Sequence, residues 1–537
     1  MKLQVRVNER GALRNGRFAF TNKLTLVSEL LQNARRAGAT HVVIEHDAAT
    51  KRLIVDDDGC GVADFQRLLT FNESGWDEHT IETEHAFGLG FAKCLYAARR
   101  VTVTSRGQRL AFDCDDALNQ AELEVVAAPD ADTQLTTIEL EGVDLPQLDQ
   151  QIDRITRGFP IPVVYNQVQQ ALQHSLSAKP YVTTDIGSIY LSGADTGEPA
   201  TDTALYLQGL PIGGRERHYD CDHERVDVIH LDTARFMARM PDRTELIDAD
   251  EQSRIVDAAI RQLWRTVLEA RKRTMPPAEF VERYYIVARR QNLLDVFDDV
   301  PVVPHQACSL VIDYPTTADE QDAYLQSPAC HTTRAEVESG SVRLAAFSPS
   351  EKDESHATLM YARAAGLTLV HTYLLGENHW VMRNLRDLNT EDVRVVPTGI
   401  TAEDYFDGLY VCEYIRLCER IEIHHGSDVV AITDDALFHD GTILYPSDCR
   451  GGAVVKQVSS YTGDCDHFDD TACEEDMRRL DRLVRKLRCP DPASVLRCMF
   501  QDLLKDLPRS DYTSLVGKTF RVALGQSADE ALVDLVS

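Results

Sequence analysis

No apolar run in these 537 residues reaches the roughly 18 needed to cross a membrane as a helix. The opening stretch MKLQVRVNERG also lacks the apolar centre of a signal peptide, so a cytoplasmic protein with no membrane partner is expected. The thirteen cysteines form no C-x-x-C pair and no array at zinc-ligand spacing, which points to reduced, mostly buried thiols rather than a disulfide framework. Internal repeats and low-complexity tracts are missing too. Basic residues are scarce: 56 Lys and Arg stand against 86 Asp and Glu, a net charge of −30. The deficit is uneven, because residues 291–537 alone carry 22 basic and 42 acidic side chains, a net −20. Such a surface repels phosphate backbones, which confines any nucleic-acid contact to residues 1–290 and disfavours it overall. It suits protein partners instead.

What is present begins with a length that calls for about three domains. Residues 17–38 carry an apolar stripe of Leu26, Val27, Leu30, Leu31 and Ala34, predicting a helix stopped by Gly38. Two alternating strands follow in THVVIEHD and KRLIVDDDG, joined by a turn at Ala48 to Lys51. After a polar stretch, FGLGFAKCLYAA reads as a glycine turn opening a helix, and four strand-like runs then extend to residue 143. This order predicts an α/β class, an α+β sandwich with helices layered over one mixed or antiparallel sheet. On the first helix Glu29, Asn33 and Arg36 share a face, and Glu29 with Asn33 offers a carboxylate to polarise water and an oxygen for Mg2+. VDDDGCGV sets Asp57, Gly59 and Gly61 at a strand end, where a carboxylate can accept from an exocyclic amine and glycines let a flat ligand approach. Gly88 and Gly90 precede a helix whose N–H groups can hold phosphates.

The boxes ELLQNARRAGAT, VDDDGCGV and FGLGFAKCLYAARRVTVTSRG together resemble the GHKL ATPases: gyrase, the ninety-kilodalton heat-shock chaperones, histidine kinases and MutL. ITRGFPIPVVYN is similar to the closing segment of the chaperone ATPase domain, so the resemblance covers residues 1–166 and lies nearest the chaperone and MutL branches. It implies a Bergerat-type ATP-binding domain with ATP and Mg2+ as cofactors. Glu29 is then the general base, Asn33 the magnesium ligand and Asp57 the contact to the adenine amine. Gly59 and Gly61 line the base, Gly88 and Gly90 lie against phosphates, and Thr136 in LTTIEL closes the adenine site through a water.

Departures from the family sharpen specific residues. Arg36 stands where the family carries an acid, and pairing with Glu29 or reaching a phosphate are both open to it. Leu135 replaces a frequent glycine. The stretch from Asn72 to Ala86 is short enough for a simple flap rather than a long lid. Lys93, three residues past Gly90, is expected as an exposed helical lysine rather than as a phosphate contact.

Residues 167–290 are expected to form a transducer-like α/β middle domain with a long helix before Pro276 and Pro277. By resemblance, such a domain sends a basic residue to the terminal phosphate, and Arg235, Arg239 and Arg243 are its candidates, with Arg239 and Arg243 assigned a catalytic part. Residues 291–537 form the third expected domain, mixed, acidic and without a telling motif; its two amphipathic helices around Pro490 could pair between chains or pack on their own domain. His424 and His425, adjacent on a strand, face opposite ways and make poor co-ligands. The reading that unites these features is an ATP-hydrolysing, dimeric, chaperone-like clamp, a homodimer when ATP-bound, with a protein client. The alternatives are a DNA-handling ATPase of the MutL or gyrase type and a nucleotide-sensing scaffold that does not hydrolyse.

Overall fold

The computed structural model describes residues 3–4, 8–16, 18, 22–71, 73, 76, 78–84, 88, 90–213, 225–240, 242–313, 324–347, 354–389, 393–462, 467–489, 491–505, 507–523, 525 and 532–536. The chain divides into two compact units, one of residues 1–275 and 283–293, the other of 276–282 and 294–537.

In the first unit the amphipathic stripe of the sequence becomes α2 (Thr25–Arg36), preceded by the short α1 (Glu9–Gly16). The helix starts later than its periodicity suggests, and just before it the Asn22 side chain accepts from Leu24 N at 3.0 Å. Leu26, Val27, Leu30, Leu31 and Ala34 are all buried against a sheet. That sheet comprises β1 (Val42–Asp47), β2 (Arg52–Asp57), β3 (Arg100–Ser105), β4 (Gln108–Asp113), β5 (Val125–Ala127), β6 (Thr136–Glu141), β7 (Val163–Tyr165) and β8 (Val168–Gln169). Its order is β5-β4-β3-β6-β2-β1-β7-β8, antiparallel except where β1 runs beside β7. The β1–β2 hairpin turns where the Asp47 carboxylate accepts from Ala49 N and Thr50 N. Further helices lie at α3 (Gln66–Leu69), α4 (Glu78–Glu84), α5 (Ala92–Ala97), α6 (Cys114–Leu118) and α7 (Leu148–Thr156), giving the helix-over-sheet sandwich.

A second sheet follows in the same unit, ordered β12-β11-β13-β10-β9, from β9 (Val182–Thr184), β10 (Gly187–Tyr190), β11 (Asp202–Leu207), β12 (Leu210–Pro211) and β13 (Val226–Leu231). The long helix is α8 (Ala249–Thr274); α9 (Pro277–Arg290) starts on a proline, whose missing N–H costs nothing at that position.

The second unit holds two mixed sheets, of five and four strands, and smaller antiparallel ones. The terminal amphipathic helix Asp470–Arg488 buries Leu480 and Val484 in a core with Phe406, Ile415 and Tyr461, so it packs on its own unit. Pro490, the expected break, lies outside the described residues. Cys94, Cys114, Cys308, Cys418, Cys449 and Cys473 are buried, and no disulfide joins the described cysteines. Among the described residues no helix is long and apolar enough to cross a membrane.

Candidate active site

Once the apolar stripe of α2 faces the sheet, Glu29, Asn33 and Arg36 fall on the opposite side. There they line a cleft of about 490 Å³, a size that suits a nucleotide. The same cleft is lined by Asp57, Gly61, Gly88, Gly90, Thr136 and Arg243. These residues come from one helix, two strand ends, two glycine turns and a loop of the second sheet's region.

The end of β2 is built to hold a carboxylate still. Asp57 is buried and its Oδ1 accepts from Gly59 N at 3.0 Å; burial raises its pKa, with Asp58 and Asp56 adding to the effect. A Cβ on Gly59 would sit 2.6 Å from the Ala37 Cβ, so only glycine lets this turn pass under α2. The next carboxylate, Asp58, is held well below the usual range because Thr40 donates to it through its hydroxyl and its N–H, and His41 N donates as well. Across the sheet Thr136 pairs in register with Asp57 and shares a 3.0 Å hydrogen bond with the Ser105 hydroxyl, which also accepts from Val62 N. Asp57, Thr136 and the glycine turn thus form one polar wall inside an otherwise apolar sheet end.

The opposite wall is the turn before α5. Gly88 has φ +72, and a Cβ there would lie 2.3 Å from the Glu73 carbonyl oxygen. A Cβ on Gly90 would lie 2.6 Å from Glu29 Oε2. Phe87, Leu89 and much of the expected flap from Asn72 to Ala86 lie outside the described residues.

Glu29 is 3 % exposed and sits among charges. Its Oε1 is 3.5 Å from Lys93 Nζ and 3.3 Å from Arg243 Nε. Its Oε2, by contrast, is buried without a hydrogen-bond partner among the described residues. Lys93 is not the exposed lysine expected from the sequence. It is 3 % exposed, because the face of α5 that carries it packs on α2, and its ammonium donates to Thr25 Oγ1 at 3.0 Å with Asp242 at 3.9 Å. Burial lowers its pKa, opposed by Glu29 and Asp242.

Arg36 does not pair directly with Glu29. Its buried guanidinium donates from Nε to Glu84 Oε2 at 2.9 Å and lies 3.4 Å from Gln208 Oε1. Burial and the nearby Arg243 lower its pKa against the pull of Glu84 and Glu29. Arg35 also pairs with Glu84, and Gln208 Nε2 closes the network by donating to Glu84 O at 3.0 Å. Of the three candidate arginines, Arg243 reaches the cleft. Arg239 points away, 63 % exposed and 3.2 Å from Glu245, and Arg235 pairs with Asp185. The sequence offered no signal for Glu84, Gln208 or Asp242 as neighbours of the site, and for Lys93 only its spacing from Gly90.

Chemically, the cleft joins an amine-accepting carboxylate, glycine turns tight enough for phosphates, and a buried carboxylate with one oxygen uncommitted. The orphaned Glu29 Oε2 beside Gly90, with Asn33 one turn along α2, fits a nucleotide and its Mg2+: Asn33 would hold the metal, and Asp57, Gly59, Gly61, Gly88, Gly90 and Thr136 would hold the nucleotide. Residues 22–144 match the family model described as Histidine kinase-, DNA gyrase B-, and HSP90-like ATPase. No curated protein matches the chain.

Proposed function

From the premise that residues 22–144 are an ATPase domain of the GHKL superfamily, we propose that this chain binds and hydrolyses ATP with Mg2+ and uses the cycle to move its middle segment. The observation that carries the reading is Arg243, a residue of the segment after β13 whose Nε lies 3.3 Å from the Glu29 carboxylate of the ATPase domain. One guanidinium therefore links the water-activating group to the neighbouring segment.

In this reading bound Mg2+ supplies charge neutralisation for the phosphates and orients them. Asp57 accepts from the adenine amine, its carboxylate oriented by Gly59 N. Asn33 offers its side-chain oxygen to the metal. Glu29 takes a proton from the attacking water at Oε2, the oxygen not engaged by Lys93 or Arg243. Arg243 turns from Glu29 towards the terminal phosphate, where anionic oxygens compete for it, and this frees Glu29 as a base. Domains 1–166, 167–290 and 291–537, an ATP-bound homodimer, and a clamp or chaperone-like action on a protein client complete the proposal, with the chaperone and MutL branches the nearest comparison.

A second reading is favoured by the same charges: Lys93 and Arg243 keep the Glu29 carboxylate engaged, and the chain senses ATP without hydrolysing it. Phosphate release by the purified chain with ATP and Mg2+ separates the two. Turnover that Glu29→Ala lowers by ~10²–10⁴-fold supports the engine. An ATP-induced rise in melting temperature with no phosphate supports the sensor, and neither response overturns both.

A further inference from the structure

In the second unit, a short ribbon pairs β14 (Val302–Val303) with β17 (Thr332–Thr333), in the register Val302↔Thr333 and Val303↔Thr332. This pairing carries the chain directly from β14 to His305 on one side and from His331 into β17 on the other. Their rings meet with centroids 4.8 Å apart. Glu282 of α9, within the same unit, brings its carboxylate to the pair: Oε2 is 2.8 Å from His331 Nε2 and 3.9 Å from His305 Nδ1. We propose that Glu282, His305 and His331 form a binding site for a divalent transition-metal cation of the Zn2+ class.

Three observations carry it. One ligand atom from each residue lies within 4.8 Å of the other two. Bonds of about 2.1 Å allow ligand atoms to stand up to about 4.2 Å apart, and Glu282 Oε2 already lies within that of both imidazole nitrogens. Secondly, the His331 side chain is only 10 % exposed, and its buried Nε2 has no hydrogen-bond partner among the described residues. The Glu282 oxygen is its nearest charged neighbour, at 2.8 Å. A buried imidazole nitrogen with a carboxylate and a second imidazole converging on it is a donor set a cation can use. Thirdly, two imidazoles with a single carboxylate suit zinc and its neighbours; Ca2+ and Mg2+ want more oxygen ligands than this site offers. Three protein ligands leave a coordination position for water or an outside group.

The hydrogen bonds already present set the proton balance. His305 N donates to His331 Nδ1 at 3.0 Å, and His305 Nδ1 lies 3.2 Å from the same atom, so without a cation His331 carries its ring proton on Nε2. With the cation on His331 Nε2 and His305 Nδ1, each neutral ring keeps one proton and moves it to its other nitrogen. No proton is released, and the contact between His305 N and His331 Nδ1 opens. The site therefore ties α9 to the β14–β17 ribbon more tightly when loaded.

The test is a Co2+ titration of the chelator-treated full-length chain, followed by the visible d–d absorption of the bound ion. One Co2+ per chain is expected, displaced by Zn2+, with Glu282→Gln and His305→Ala each weakening uptake by more than ~10-fold. Both altered side chains reach the surface, so these variants keep the fold, which far-UV circular dichroism checks. No saturable uptake overturns the proposal. So does uptake that survives both substitutions, because it then belongs to other ligands such as the free thiols.

Discussion

Glu29→Gln is the most discriminating perturbation of the cleft, because the structure makes it a stability experiment as well as a catalytic one. The carboxylate stands 3.5 Å from Lys93 and 3.3 Å from Arg243, all three largely buried. At an effective dielectric constant of about 20, each contact is worth roughly 5 kcal/mol of gross Coulomb energy. The net loss is smaller, because Asp242 still faces Lys93 at 3.9 Å and because Lys93 can give up its proton. Deprotonating an ordinary lysine at pH 7 costs about 5 kcal/mol, which caps its share of the penalty. Removing one partner from a buried pair commonly costs about 3–5 kcal/mol, in agreement with that ceiling. Glu29→Gln is therefore expected to destabilise the nucleotide-free protein by about 3–5 kcal/mol, read by differential scanning calorimetry as a fall of roughly 6–20 °C. ATP with Mg2+ at 100 times its dissociation constant should recover about 2.7 kcal/mol, while phosphate release stays ~10²–10⁴-fold down. A variant that melts at or above the wild type without nucleotide refutes the reasoning, since Glu29 would then not be what neutralises the two buried cations.

Two further substitutions separate holding the nucleotide from holding the fold. Asp57→Asn removes a buried carboxylate whose pKa burial has raised, a group that adds stability at acid pH and loses it as pH climbs through the raised value. Without nucleotide the variant should match or exceed the wild type in melting temperature near pH 7, the gap closing as pH falls below about 4; its ATP-induced shift should be absent. Gly88→Ala places a Cβ 2.3 Å from the Glu73 carbonyl oxygen at φ +72, a strain of about 1–3 kcal/mol, and a calorimetric trace unchanged from wild type with full ATP binding would contradict the turn as described.

The parts of the site that the sequence made legible are those set by local rules. A carboxylate at a strand end, a glycine that must take positive φ and an apolar stripe with period 3.6 each constrain a few neighbouring residues, so Asp57, Gly88 and the inner face of α2 could be read directly. Lys93 could not, because its burial depends on which side of a six-residue helix meets α2 and on Asp242, distant in sequence. Arg239 and Arg243 are four residues apart in the same loop, and what parts them is backbone conformation: Arg243 has φ +55 and its N–H closes a turn onto Arg239 O at 3.0 Å. Glu282, His305 and His331 are scattered through the chain and meet only because of the β14–β17 register. Spacing rules for metal ligands find local motifs, and this is not one.

Arg36 posed the sharpest question in the sequence, as the one member of the α2 row that the family does not anticipate. Its direct partner is Glu84 at 2.9 Å, with Gln208 beside it, and Glu29 acts on it only at a distance. The cations in contact with Glu29 are instead Lys93 and Arg243, and they differ in what they can do. Lys93 is enclosed between α5 and α2, held by Thr25 and faced by Asp242, so its charge stays at Glu29 through any cycle. Arg243 sits on a loop with its side chain 16 % exposed at the cleft wall, where phosphate oxygens can compete for it. Half of the neutralisation is thus fixed and half is exchangeable. Whether the chain acts as a sensor or an engine turns on the exchangeable half, the single contact that belongs to both the base and the segment that follows β13.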